Sequence, residues 1–397
     1  MSMPVSMLAE ADVAGDVAVA VEEAHSDDLA REVYCILGMP IDAIDMPALV
    51  RKIEAAAAKA APFVLSTPNI NFLVASQVDP EFRESLLLSD VCATDGVPIV
   101  WIAQLMGIPI RRRTAGSDLL EALKARTGRP LRLFLFGSTD EVAAAAAQRL
   151  NENQTGVRCV GWSCPGFGPM DELSQDCFIE KINAAGADFL MASLGAKKGQ
   201  LWLQSNHHRL RTPVRAHLGA TVNFQAGTVK RAPPAVRMLA LEWLWRIKEE
   251  PHLWRRYWDD GRALARLMLT RILPLAIESW WQRRQQVGGD LMITPVQGHD
   301  SVTLRLYGTA AADQVAHAAT YFRSAVRSRK NVVIDLSAAH AVDMRFMGLL
   351  LMLRKQLKQQ GRDLSIIGVL PKVERTFRLN GADFLLNASK SVKSDRV

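Results

Sequence analysis

A chain of 397 residues, 49% hydrophobic and 22% charged, has the length for two or three domains and the composition of a folded globular protein. Its cysteines (Cys35, Cys92, Cys159, Cys164 and Cys177) are odd in number and scattered, without the CxxC pairs and nearby histidines of a zinc site, so a reduced, cytoplasmic compartment is expected. The net charge of +7 is modest but unevenly placed, because Val229 to Arg284 holds twelve Lys/Arg against six Asp/Glu.

Residues 1–30 are acidic and rich in Ala and Val, with no basic n-region and no adequate apolar core. They read as a flexible leader and not as a signal peptide. No uninterrupted apolar run reaches spanning length, so no transmembrane helix is expected.

From about Ala61 to Gly219 short apolar runs alternate with helical patterns: "PFVLST" with "NINFLVASQV", "VCATD" with "VPIVWIAQLMG", "RLFLFGS" with "DEVAAAAAQRLNEN", "VRCVGWS" with "MDELSQDCFIEKINAAG", and "ADFLMASLG" with "KGQLWLQSNHHRL". That alternation predicts an α/β fold, a Rossmann-like parallel sheet with helices on both faces. Ligands of such sheets sit outside the carboxyl ends of the strands. Thr67, Asp95, Gly137-Ser138, Gly195 and Gly219 fall at those ends and define one rim.

After Lys230 the pattern becomes continuously helical, and Trp243, Trp245, Trp254, Trp258, Trp280 and Trp281 lie here among arginines. Two readings stand: a basic amphipathic helix on an anionic membrane surface, or a helix packed on its own domain with arginines to solvent. Nucleic acid is not the expected partner, since the basic residues mix with large apolar groups and no binding motif occurs. "VGGD" near Gly288 marks a linker. From Met292 a third unit follows. "SVTLRLYG", "NVVIDLS" and "DLSIIGV" read as strands, and "MRFMGLLLMLRKQLKQQ" and "KVERTFRLNG" as helices.

The dinucleotide and P-loop fingerprints are absent. Gly137-Ser138, before Thr139-Asp140, could present backbone N–H groups to a diphosphate or serve as an ordinary helix start. Asp95, before Gly96, reads either as turn chemistry or as a reactive carboxylate. His207 and His208 have no spaced partner for a metal. Ser138 and Ser193 lack a nucleophile-elbow motif.

Together, "STPNINFLV", "ATDGVPIVW", "RTAGSDLLEAL", "LFGS", "INAAGADFLMASLGA" and "GTVKRAPPAVRMLALEWLWRIKEEPHLWRRY" resemble the WecG/TagA/CpsF glycosyltransferases (glycosyltransferase family 26) over about Ala61 to Tyr257. The resemblance implies inverting, metal-independent transfer, without a cofactor, from a UDP-sugar to a polyprenyl-diphosphate-linked saccharide in bacterial exopolysaccharide or cell-surface polysaccharide synthesis. It implies Asp95 as the base; Thr67, Asn69 and Arg113 as pocket residues; and Arg246 and Arg256 facing the diphosphate. Gly137, Ser138, Gly195, Gly219 and Asn223 fall on the nucleotide side, with Asn223 where an Asp is usual. The family loop "GAPKQEKW" reads "GAKKGQLW" here: Lys197, Gly199 and Gln200 stand for the usual proline, glutamine and glutamate. Gln200, one position along, is the candidate substitute for the missing glutamine, although one residue on a helix turns a side chain by about 100°. A catalytically impaired binding scaffold is the alternative reading.

The last unit resembles a STAS domain. Asp343-Met344-Arg345-Phe346 stands where such domains often carry a phosphorylated serine, which implies constitutive interaction with a protein partner. The expected organisation is therefore a leader over 1–30, a Rossmann-like domain over 31–228, a basic helical appendage over 229–286 and a STAS-like domain over 292–397. The enzyme is expected to sit peripherally on the inner face of the plasma membrane, attached through 229–286. Self-association is left open.

Overall fold

The computed structural model describes residues 27–152, 156–238, 241–284 and 290–386. The expected leader lies outside them as far as residue 26, but Asp28–Ala30 form a 3-10 turn with Asp28 and Leu29 buried. The linker around Gly288 also lies outside the described residues.

Apolar runs become strands where both faces are covered. Strands β1 (Val33–Ile36) and β2 (Met39–Asp42) form an antiparallel hairpin that the sequence patterns do not announce. Its turn residues Leu37 and Gly38 both take positive φ, 48° and 82°, as a two-residue hairpin turn of the primed type requires. Six parallel strands follow: β3 (Phe63–Ser66), β4 (Val91–Cys92), β5 (Leu131–Gly137), β6 (Val157–Ser163), β7 (Phe189–Ser193) and β8 (Val214–His217). They pair in the order β4-β3-β8-β7-β5-β6. Every residue of β3 and β8 is buried, as central strands of a doubly covered sheet demand.

One face packs helices Met46–Lys59, Gly116–Lys124, Asp140–Glu152 and Thr221–Ala226. The other packs Ile70–Val78, Pro80–Leu87, Val97–Leu105, Asp176–Ala184 and Ala196–Ser205. The chain leaves β3 and β7 toward the second face and leaves β8, between them, toward the first. That reversal makes the carboxyl end of β8 a topological switch point, the place where ligands of such sheets bind.

The last domain is a mixed sheet in the order β12-β11-β10-β9: β9 (Met292–Gln297), β10 (Ser301–Ala310), β11 (Asn331–Val342) and β12 (Leu364–Ile367). Strand β9, antiparallel and mostly exposed, is an edge that tolerates Pro295. Helices Val315–Arg327, Met344–Gln359 and Pro371–Leu379 share its core.

This domain is not a separate bead. Helix Met344–Gln359 lies on β1 so closely that a Cβ on Gly348 would fall 2.0 Å from the Val33 carbonyl oxygen. The Asn380 side chain accepts from Leu37 N–H at 3.0 Å and donates to the Cys35 carbonyl at 3.1 Å. Beneath the contact Lys355 is fully buried, and its Nζ donates to Asp28 (3.0 Å), Asp90 (3.1 Å) and the Ser89 carbonyl (3.1 Å). Arg31 lies alongside, bidentate to Asp42 at 3.1 and 2.8 Å and 2.6 Å from Asp28. Asp42 in turn accepts from Cys92 N–H at 2.7 Å, and Asp90 from Val64 N–H at 2.8 Å, so the cluster is fastened to β4 and β3. Every charge in it has a partner, which is the condition for burying charge at tolerable cost.

The appendage is a series of helices: Pro234–Met238, Glu242–Glu249 and Trp254–Leu267, a π turn at Met268–Ile272, and Leu273–Arg284. Ile272 and Leu275 are buried on the second face of the sheet domain, and Arg271 donates to Gln77 at 2.8 Å. Thr376 donates to Glu278 at 3.1 Å, so the appendage also touches the last domain.

Candidate functional site

The rim at the strand ends assembles from the residues that follow β3, β4, β7 and β8. Thr67 is buried directly after β3. Asn69 caps the next helix, its Oδ1 accepting from Phe72 N–H at 3.2 Å. On the neighbouring strand Asp95 follows β4, with its N–H held by the Pro68 carbonyl at 2.8 Å. A Cβ on Gly96 would stand 3.7 Å from Asn69 Cβ, so the two strand ends lie side by side.

The Arg113–Gly116 segment closes over Asp95. Thr114 N–H donates to the Thr94 carbonyl at 2.6 Å, and the Gly116 N–H, at the first residue of its helix, favours the charged form of the Asp95 carboxyl. Burial pushes the Asp95 pKa up to about 7, and the negative charges of Glu242 and Asp118 add to the rise, while Arg113 and the Gly116 N–H oppose it. A carboxyl titrating near neutrality at a strand-end crevice has the protonation behaviour of a general base.

The appendage completes this wall. Glu242 accepts from Arg113 at 2.5 Å, and Arg113 lies 3.9 Å from Asp118. Arg231 pairs with Asp118, and Arg237 approaches the same carboxylate at 3.6 Å. Arg246 pairs with Glu250 and lies over the Phe224 ring at 5.3 Å, beside Asn223 on helix Thr221–Ala226. The Nε atoms of Arg231, Arg237 and Arg246 are buried without a hydrogen-bond partner among the described residues. These guanidinium groups carry donor capacity suited to a phosphate. Glu242, Arg231 and Arg237 lie in the helical motif that the sequence singles out, yet their convergence on Arg113 and Asp118 is visible only in three dimensions.

Two sequence candidates stand apart. Arg256 is exposed on its helix, 5.0 Å from the Tyr257 ring, and does not join the guanidinium cluster. Gln200 is buried away from the rim. Its Oε1 accepts from Ser66 Oγ at 2.9 Å, and its Nε2 donates to the Ser85 carbonyl (3.2 Å) and Ser89 Oγ (3.3 Å). The one-residue shift along the helix turns it inward. At Gly199 itself a Cβ would fall 2.0 Å from His217 Cδ2, so the imidazole occupies the space a side chain at 199 would need.

On the far side of the rim Gly137 has no room for a side chain, since a Cβ would sit 2.5 Å from the Ser193 carbonyl oxygen. The Ser138 N–H donates to that carbonyl at 3.1 Å, so it is already committed to β7. Strand β5 lies three positions from β3, roughly 14 Å at the usual strand spacing, a span suited to a nucleotide. Gly195 and Gly219, with φ of 84° and 52°, line the middle of the rim. No group of three or more metal-ligating side chains occurs among the described residues.

The glycosyl transferase WecG/TagA/CpsF family model matches residues 34–276, and a STAS model, described as "Mlab, STAS domain", matches residues 293–387. An N-acetylglucosaminyldiphosphoundecaprenol N-acetyl-beta-D-mannosaminyltransferase of Bacillus spizizenii is 28% identical over 50% of this chain and 75% of its own length. Its namesake in Bacillus subtilis is 26% identical over 49% of this chain and 74% of its own. Among solved structures, an antisigma-factor antagonist STAS domain from Rhodobacter sphaeroides aligns at 23% identity over 24% of this chain and 95% of that one, with a TM-score of 0.18.

Proposed function

The chain belongs to the glycosyl transferase WecG/TagA/CpsF family, and from that premise we propose that it moves a sugar, with inversion and without a metal, from a UDP-sugar to a polyprenyl-diphosphate-linked saccharide. The relatives' names, which specify an N-acetylglucosaminyldiphosphoundecaprenol acceptor and an N-acetylmannosaminyl group, support that substrate class. The observation that carries the reading is Asp95, a carboxyl with its pKa raised to about 7 at the strand-end crevice, beside Arg113 and the appendage arginines.

In this mechanism Asp95 takes the proton of the acceptor hydroxyl as that oxygen attacks the anomeric carbon. The bond from that carbon to the diphosphate oxygen breaks, and its electron pair leaves with UDP. Arg231, Arg237 and Arg246 supply fixed positive charge and N–H donors to the departing diphosphate, which serves the electrostatic purpose of a metal. A single displacement inverts the anomeric centre.

The acceptor would be met at a membrane surface. No helix among the described residues is long and apolar enough to cross a membrane. The appendage instead exposes Trp254, Trp258, Leu269, Leu273, Ile277 and Trp281, recurring at helical spacing, with Arg262 and Arg266 also exposed. Exposed tryptophan and leucine beside arginine suit an interfacial helix on anionic lipid.

The test is a UDP-sugar panel with a membrane lipid extract. One donor is expected to be transferred, and Asp95→Asn is expected to lower transfer by about a thousandfold while the protein stays folded. Near-normal turnover in that variant would remove Asp95 as the base. Sugar-nucleotide binding without transfer in the parent protein would favour a binding scaffold.

A further inference from the structure

The carboxyl end of β8, where the sheet reverses its connections, ends in His217. Its imidazole is buried beneath the first turn of helix Ala196–Ser205, against Gly199. Nε2 is buried and has no hydrogen-bond partner among the described residues. A buried polar atom without a partner is costly, so one at the strand end where the sheet reverses its connections calls for a function.

The surroundings open toward the rim. A Cβ on Gly195 would meet nothing within 4 Å, and one on Gly219 would meet only His217 Cε1, at 3.6 Å. The Cε1 edge of the imidazole thus faces the Gly219 turn, where the backbone carries no side chain. Burial lowers the His217 pKa to about 4, opposed by a contact with the residue's own backbone. A neutral imidazole pairs one N–H donor with one bare acceptor nitrogen, so the unpartnered Nε2 suits a hydroxyl, which can donate or accept.

We propose that His217 is a specificity-determining residue whose Nε2 hydrogen-bonds a hydroxyl group on the sugar of the nucleotide-sugar donor. The assignment rests on the transferase reading above. It also accounts for Gly199: only glycine leaves the imidazole its place, so positions 199 and 217 act as one unit.

The experiment measures equilibrium binding of UDP and of UDP-N-acetylmannosamine, UDP-N-acetylmannosaminuronate and UDP-glucose to the full chain, His217→Phe and Gly199→Ala. Phenylalanine keeps a ring beneath Gly199 but has no nitrogen. The alanine methyl must displace the imidazole without changing its chemistry. Both variants are expected to retain UDP affinity, which serves as the control for folding, and to lose about tenfold in the extra affinity that the preferred sugar confers. A His217→Phe variant that keeps the sugar's full contribution overturns the assignment alone. A parent chain that binds no sugar nucleotide overturns the transferase reading and the assignment with it.

Discussion

Two clusters of charge lie at opposite ends of β4, one buried and one part-buried, and they are built to opposite rules. At the amino end Arg31, Lys355, Asp28, Asp42 and Asp90 bond one another and the strand backbone. At the carboxyl end Asp95 is pushed toward neutrality, and buried Nε atoms of Arg231, Arg237 and Arg246 have no partner among the described residues. His217 Nε2, at the end of β8, is likewise unpartnered. The first arrangement is complete without a ligand. The second keeps unpartnered polar atoms beside its ion pairs, and under the transferase reading an anion and a hydroxyl-bearing group would engage them; polar groups left unpartnered mark candidate functional sites.

The largest difference between the two clusters should show at Asp95. Asp95→Asn is expected to lower the transfer rate by about a thousandfold, the scale of a lost general base. The raised pKa also fixes signs. In the free enzyme kcat/KM should rise with pH through about 7, as the carboxyl loses its proton. Stability should run the other way: between the ordinary aspartate value and about 7 the folded protein holds a proton that the unfolded chain has lost, so stability falls as pH rises. The variant should lose that slope in a pH series of melting temperatures. A slope unchanged by the substitution would show that Asp95 is not the titrating group.

Lys355→Ala addresses the other cluster. It leaves buried Asp28 and part-buried Asp90 without their lysine and should cost about 3–5 kcal/mol in urea denaturation. Because Leu29, Val33 and Leu87 share one core with the last domain, the loss should be felt by both domains in a single transition. Two separate transitions in the parent protein would break the picture of a jointly folded unit. Unchanged stability in the variant would put Lys355 in the company of Asp95.

Much of this arrangement was legible as pattern. The apolar runs placed the parallel strands, and the small polar residues at their ends placed the rim, because both follow from local chain chemistry. Partnership at long range was not legible. Nothing in "LRKQLKQQ" separates buried Lys355 from exposed Lys358, since the acceptors of Lys355 are Asp28 and Asp90, far away in the chain. The β1–β2 hairpin escaped because its turn is Leu37-Gly38 and not Asn-Gly, and β9 because only one of its residues is buried. The sequence sets Gln200 one position from the missing glutamine but does not show that its side chain meets Ser66 and Ser89.

Positions 199 and 217 sharpen the comparison through coupling. Gly199→Gln alone should destabilise by about 1–3 kcal/mol, because its Cβ needs the space of the His217 ring. His217→Gly should relieve that clash, so the double variant should be more stable than the sum of the single changes implies. Additive losses in a double-mutant cycle would show that the two sites do not share the space.

The smallest expected effect lies farthest from both clusters. Trp254 and Trp258 sit one helical turn apart and both are exposed, so replacing them with alanine removes little packing from the protein itself. If the appendage rests on lipid, the double replacement should weaken binding to anionic vesicles severalfold in a sedimentation assay, at unchanged melting temperature. Raising salt should weaken it further, through Arg262 and Arg266, because surface charge is screened within about a nanometre at ordinary ionic strength. Vesicle binding indifferent to both changes would mean that these arginines and tryptophans face solvent, and that the acceptor reaches the rim by another side of the molecule.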